Sequence, residues 1–212
     1  MEGGRGGLVA THPFSLPMSE AFSTRRLQPG QPLPDFALPD AAGTVHRLAG
    51  RGKLPAVVVF ACNHCPFVVH LATALGRMAA GYRGRVAFFA INSNDAARYP
   101  ADAPALMPEF ARAHGWDFPY LVDETQETAL SYGAACTPDF FLSDAAGGLF
   151  YTGQFDFSRP ARWARQDFPL DGSSLRAAIE AVLRGSQAPD PQWPSSGCNI
   201  KWKPGQEPNW SF

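Results

Sequence analysis

The stretch Ala56-Val57-Val58-Val59-Phe60-Ala61-Cys62-Asn63-His64-Cys65-Pro66 joins an unbroken apolar run to a Cys-x-x-Cys pair. Val57 to Phe60 are β-branched or aromatic, and a run that never alternates with polar residues predicts a strand buried on both faces. Beyond Pro66, the residues Val68, Leu71, Leu75, Met78 and Tyr82 recur at three- and four-residue steps, the spacing of a helix with one buried stripe. Pro66 suits the first turn of that helix, where an N–H would have no intrahelical partner. A second apolar run, Val86 to Ile91, follows. Strand, helix and strand in this order predict a right-handed crossover between parallel strands.

On the N-terminal side, within Leu33 to Leu48, Phe36-Ala37-Leu38 and Val45-His46-Arg47-Leu48 flank Asp40 to Gly43, the pattern of a small β-hairpin. On the C-terminal side, Asn92 to Pro104 reads as loop, Ala105 to His114 as a short helix and Pro119 to Val122 as a short strand. A helix over Glu124 to Tyr132 closes at Gly133. Thr137-Pro138 leads into a strand, Asp139 to Leu142, which Ala145 to Gly148 turns back into Leu149 to Thr152. The last helix has Ser173 or Ser174 as its cap, an apolar face of Leu175, Ala178, Ile179, Val182 and Leu183, and a stop at Gly185.

The chain thus divides into a flexible arm over 1–28, one domain over 29–186 and a tail over 187–212. The five prolines of the tail predict irregular backbone, whereas Trp193, Trp202 and Trp210 predict that it packs on the domain rather than standing in water. With 18 basic and 19 acidic residues well mixed along the chain, neither nucleic acid nor an anionic membrane surface is an expected partner. No apolar run approaches the ~20 residues of a membrane span. Met1 to Leu16 lacks the continuous apolar core of a secretory signal, so the expected location is the cytoplasm.

Four cysteines are too few for a disulfide scaffold, and in a reducing compartment a Cys-x-x-Cys is catalytic or metal-binding. At the end of a strand and the start of a helix, unpaired N–H groups and the helix dipole favour thiolate, lowering a thiol pKa from ~8.5 into a range of ~3.5 to 7.5. Cys62, which precedes the helix, is expected to be the exposed and more acidic thiol, attacking first while Cys65 resolves. A zinc site would need about four ligands, and Cys136 and Cys198 do not supply a second Cys-x-x-Cys. A c-type haem would need His where Pro66 stands. No cofactor or metal is therefore expected.

With its opening segment Pro29-Gly30 through Pro34-Asp35-Phe36-Ala37-Leu38, its strand-to-helix Phe60 to Pro66 and its Thr137-Pro138 before a strand, the chain resembles the thioredoxin superfamily from about Leu27 to Leu183. The resemblance is to the AhpC/TSA, or redoxin, group of peroxiredoxin-like proteins. It implies a thioredoxin-like α/β fold, a central mixed β-sheet flanked by helices, extended by the N-terminal hairpin and the irregular tail. It also implies that Pro138 is cis and lies beside the cysteines, so that Thr137 and Pro138 shape the substrate groove.

Two departures from the family pattern stand out. In the peroxidatic register the attacking cysteine is Cys65, yet the expected Thr three residues earlier is Cys62 and the expected Pro seven earlier is Val58. The buried carboxylate that thioredoxins keep about six residues before the first cysteine is Ala56. His64 or water must then accept the proton of the resolving thiol.

The expected activity is thiol–disulfide exchange through Cys62 and Cys65, with a protein or small-molecule disulfide or thiol as partner and a thioredoxin- or glutathione-type reductant. The alternatives are an antioxidant thiol peroxidase acting on hydroperoxides, and a noncatalytic binding module or metal carrier. His64 is placed to tune the Cys62 thiolate, while surface roles are the default for His46, His70 and His114. Cys136 and Cys198 are either a second redox pair or a buried hydrophobe and a spectator. Asn92 to Asp95 either borders the groove or makes ordinary turns.

Overall fold

The computed structural model describes residues 20–210. Its strands are β1 (Glu20–Phe22), β2 (Ala37–Pro39), β3 (Val45–Arg47), β4 (Ala56–Phe60), β5 (Ala87–Asn92), β6 (Tyr120–Val122), β7 (Cys136–Thr137), β8 (Asp139–Ser143), β9 (Leu149–Gly153) and β10 (Ser196–Asn199). The helices are α1 (Pro66–Gly81), α2 (Met107–Ala113), α3 (Glu127–Tyr132) and α4 (Ser173–Leu183).

The central sheet has the order β6-β5-β4-β8-β9. β4 pairs parallel with β5, as the crossover predicts, and β8 antiparallel with β9, as the hairpin predicts; β4 and β8 also pair antiparallel, which joins the two units into one sheet. All five residues of β4 are buried, but they divide between two cores. Val57 and Val59 face α1 and α4, meeting Val68, Leu71, Leu75, Leu175 and Ile179. Val58 and Phe60 face the other side, among Leu33, Phe36, Ile91, Tyr132 and Phe141. Full burial of each such side chain is worth roughly 1.5–3 kcal/mol, so this one strand anchors both layers.

The structure corrects the sequence reading in several places. The part of the arm within the described residues is not loose: β1 pairs with β10, and the Thr24 hydroxyl donates to the Gly133 carbonyl at 2.6 Å. The rest of the predicted arm, 1–19, lies outside the described residues. Nor is the tail irregular throughout, because β10 is the centre of a second sheet, β1-β10-β7. Trp202 is buried and the Arg26 guanidinium covers Trp210 at 4.3 Å, as expected of a packed tail, but Trp193 stays half exposed against Phe157. Neither Ser173 nor Ser174 caps α4. The cap residue is Gly172 at φ +66°, and the Asp171 carboxylate accepts the Ser173 N–H at 2.8 Å. α3 begins at Glu127 because Asp123 takes the preceding residues into a turn with Gln126 left-handed.

Candidate active site

β4 and α1 meet at the cysteine motif. Cys65 is the residue that opens α1, with Pro66 in its first turn, and Cys62 lies two residues beyond the last residue of β4. The Thr137–Pro138 bond is cis and comes from the neighbouring β7–β8 junction. Thr137 reaches both sulfurs: its Oγ1 lies 3.6 Å from Cys62 Sγ, and its carbonyl accepts from Cys65 Sγ at 3.0 Å. Pro138 also borders a small pocket with Phe67, Phe140 and Gln154.

The expectation that Cys62 is exposed fails. Cys62 is 1% accessible and Cys65 is fully buried. The acidities also reverse. Burial raises the Cys62 pKa well above the ordinary thiol value, and its Cys65 neighbour and the Asp102 carboxylate add to this. Burial opposes ionisation of Cys65 too, but hydrogen bonds from the Cys198 and Cys62 thiols, from Thr137 and from the Val68 amide outweigh it and bring its pKa well below the usual value. Of the two neighbouring thiols, Cys65 is therefore the one that ionises more readily.

The residue that sequence reasoning missed is Asp102. It comes from the insertion after β5, far from the motif in the chain, and no local signal marks it. Its carboxylate is fully buried and accepts the backbone N–H groups of Asn63 at 2.9 Å and His64 at 3.3 Å. His64 Nδ1 pairs with it at 2.7 Å, which raises the His64 pKa above 6.5 against the opposing effect of burial. Asn94 donates to the same carboxylate at 2.7 Å and accepts the Lys201 N–H at 2.8 Å. The Asn92 to Asp95 loop therefore holds Asp102 and ties it to the tail. The Tyr120 hydroxyl donates to Asn63 Oδ1 at 3.0 Å, fixing the turn of the motif from below.

The donor atoms of Cys62, His64 and Asp102 all lie within 4.8 Å of one another, the closest approach to a metal-ligand set among the described residues. It is one ligand short of a tetrahedral site, and two of its members are already engaged with each other. The same proximity puts the His64–Asp102 pair within reach of the Cys62 sulfur as a proton acceptor and donor, on the side of the motif away from Ala56 in the chain.

The remaining candidates separate clearly. Cys136 is buried with its thiol toward the Pro138 carbonyl at 3.6 Å, and burial raises its pKa well above the ordinary value. In the β10–β7 register Asn199 opposes Cys136 and Cys198 opposes Thr137, so alternation turns the two cysteines to opposite faces. Cys136 and Cys198 are thus not brought together as a second pair. His46, His70 and His114 contact Asp40, Ser158 and Thr73 respectively, all away from the sulfurs.

Replacing either member of the His64–Asp102 pair is expected to move the redox potential of the cysteines in opposite directions. His64→Leu leaves the Asp102 carboxylate uncompensated beside Cys62, destabilises the reduced thiolate form and makes the pair more reducing. Asp102→Asn removes the charge that raises the Cys62 pKa and makes the pair more oxidising. A shift of ~30 mV each way corresponds to ~1.4 kcal/mol for a two-electron couple. Titration in glutathione redox buffers reads both, and shifts of the same sign in the two variants would contradict the electrostatic role.

The profile of the Redoxin family matches residues 28–166. No curated protein matches the chain. Among solved structures, an uncharacterized conserved protein from Geobacillus kaustophilus is 46% identical, with a TM-score of 0.83 over 89% of this chain and 99% of that one. A protein designated SMc02350 from Sinorhizobium meliloti 1021 is 44% identical, with a TM-score of 0.80 over 84% of this chain and 97% of that one. A putative thiol:disulfide interchange protein DsbE from Chlorobium tepidum, 23% identical, shares the fold with a TM-score of 0.58 over 74% of this chain and 99% of that one.

Proposed function

We propose, from the premise that this chain belongs to the redoxin family and is a thioredoxin-like redox protein, that it is a thiol–disulfide oxidoreductase whose redox centre is Cys62–Cys65. One observation carries this reading: two thiols at a strand-to-helix junction, both touched by the Thr137 that precedes a cis proline. Cys62 attacks one sulfur of a substrate disulfide as a thiolate, having passed its proton to Cys65 across their hydrogen bond or to the His64–Asp102 pair; the substrate S–S bond breaks, and the departing substrate thiolate takes up that proton, which leaves Cys65 ionised. The Cys65 thiolate then attacks the Cys62 sulfur of the mixed disulfide, leaving the Cys62–Cys65 disulfide and releasing the reduced substrate thiolate. An external dithiol of the thioredoxin or glutathione type returns the pair to the reduced form. No bound cofactor enters this cycle, and the cytoplasm, where unpaired cysteines stay reduced, is its proposed location.

A second reading, reduction of hydroperoxides, is favoured by the stabilised thiolate on a buried Cys65, which a small oxidant reaches more easily than a protein does. In it Cys65 attacks the O–O bond and becomes a sulfenic acid, and Cys62 condenses onto it with loss of water. The first reading predicts fast reaction with a model disulfide and slow reaction with hydrogen peroxide, because Cys62 stands where the family places the Thr that orients a peroxide. Stopped-flow oxidation by the two reagents separates them. Fast, Cys65-dependent peroxide consumption with negligible disulfide reactivity would overturn the first reading.

A further inference from the structure

The motif supplies two thiols, but three meet at the start of α1. β10, from the tail, lies antiparallel to β7 with Cys198 directly opposite Thr137, the residue that contacts both sulfurs of the pair. A residue and its cross-strand partner project to the same face of a sheet, so this register aims Cys198 at the pair and Cys136 away from it. Gly197 makes the approach possible. A Cβ at that position would sit 2.0 Å from the Thr137 carbonyl oxygen and 2.6 Å from its carbon, so only glycine lets β10 lie this close to the cis-proline junction. Cys198 is 2% accessible, shares one core with Cys62 and Cys65, and lies near enough to the Cys65 sulfur for the two thiols to shift each other's pKa, lowering that of Cys65 and raising that of Cys198.

We infer that Cys198 is a third redox thiol of this site, forming a disulfide with Cys65 in exchange for the Cys62–Cys65 disulfide. The inference rests on the reading that Cys62 and Cys65 cycle between dithiol and disulfide. Its chemistry needs no outside oxidant. The Cys198 thiolate attacks Cys65 Sγ within the Cys62–Cys65 disulfide, and an S–S bond forms between Cys65 and Cys198. The Cys62–Cys65 bond breaks with its electron pair leaving on Cys62, which takes up the proton that Cys198 lost. The count of disulfides is unchanged. The outcome is a form in which Cys62 is again free to engage a substrate, while the oxidising equivalent is stored on the tail strand. Cys65, flanked by thiols from both the motif and β10, is the common member of the two disulfides, and Cys136 is outside the exchange.

The test uses the full chain with Cys62→Ser, in which Cys65, Cys136 and Cys198 remain. After equilibration with glutathione disulfide, acid quench and alkylation, peptide mapping is expected to find Cys65 linked to Cys198 and Cys136 alkylated. Glutathione held on Cys65 with Cys198 alkylated would overturn the proposal. Cys62→Ala provides the same readout if the serine variant does not fold. A parallel Cys198→Ser protein separates this proposal from the reading beneath it. A Cys62–Cys65 disulfide there, beside no Cys65–Cys198 linkage in the Cys62 variants, overturns the third thiol alone. Absence of the Cys62–Cys65 disulfide in Cys198→Ser overturns the underlying reading instead.

Discussion

Cys62→Ser sharply slows turnover of disulfide substrates, leaving only slow oxidation through Cys65 and Cys198, whereas Cys65→Ser converts the protein into a trap on which mixed disulfides accumulate. The asymmetry follows from position. Both thiols are buried, but Cys65 is built into the first turn of α1 and held by the Thr137 carbonyl, whereas Cys62 stands before the helix. A serine at 62 leaves no sulfur there to form the mixed disulfide. A serine at 65 leaves that step intact and removes the thiolate that would resolve it. Cys198 adjoins Cys65 rather than replacing its sulfur, so it does not restore normal turnover. The measurement is steady-state reduction of a model disulfide, with non-reducing electrophoresis and mass spectrometry of the trapped species. Full turnover by Cys62→Ser would refute the assignment of roles, and so would a Cys65→Ser variant that forms no adduct.

Asp139→Asn raises stability at pH 8 and does little at pH 4. Asp139 follows the cis proline, is fully buried, and has one carboxylate oxygen without a hydrogen-bond partner. Burial pushes its pKa from the ordinary 3.8 up to about 7, opposed only in part by the Ser23 hydroxyl and the Ala135 amide. The folded state therefore holds this proton more tightly than the unfolded chain does. Stability from this group is fully present below about pH 4 and is lost as pH rises through about 7. Roughly three pH units at ~1.4 kcal/mol each give a difference of roughly 4 kcal/mol, an upper value for one buried group. The amide is neutral at every pH and removes that loss. Urea unfolding of both proteins at pH 4 and pH 8 reads the effect, and an equal gap at the two values would exclude it.

The local part of the site was legible in the sequence because its determinants are contiguous. Ala56 to Pro66 specify a buried strand, a thiol pair and a helix start through apolar run, spacing and proline alone. The Thr137–Pro138 junction needed the family resemblance, since an X-Pro before a strand does not by itself say cis. Asp102, β1 and β10 were not legible. Asp102 acts on the motif only through tertiary placement, and nothing in its neighbours Ala101 and Ala103 distinguishes it from a solvated carboxylate. β1 and β10 are three and four residues long and pair across almost the whole chain, so neither carries enough period to read. The burial of Cys62 was missed for the same reason. The groups around its sulfur, among them Asp102 and Thr137, come from elements distant in sequence.

The most direct test of the central claim is to equilibrate the wild-type chain across a range of glutathione potentials, quench with acid, alkylate and map every cysteine. The account predicts one reversible two-electron transition in whose oxidised form Cys65 is always a member of the disulfide, joined to Cys62 or to Cys198, while Cys136 stays alkylated throughout. Cys62 and Cys65 both remaining alkylated at the oxidising end of the range would contradict it.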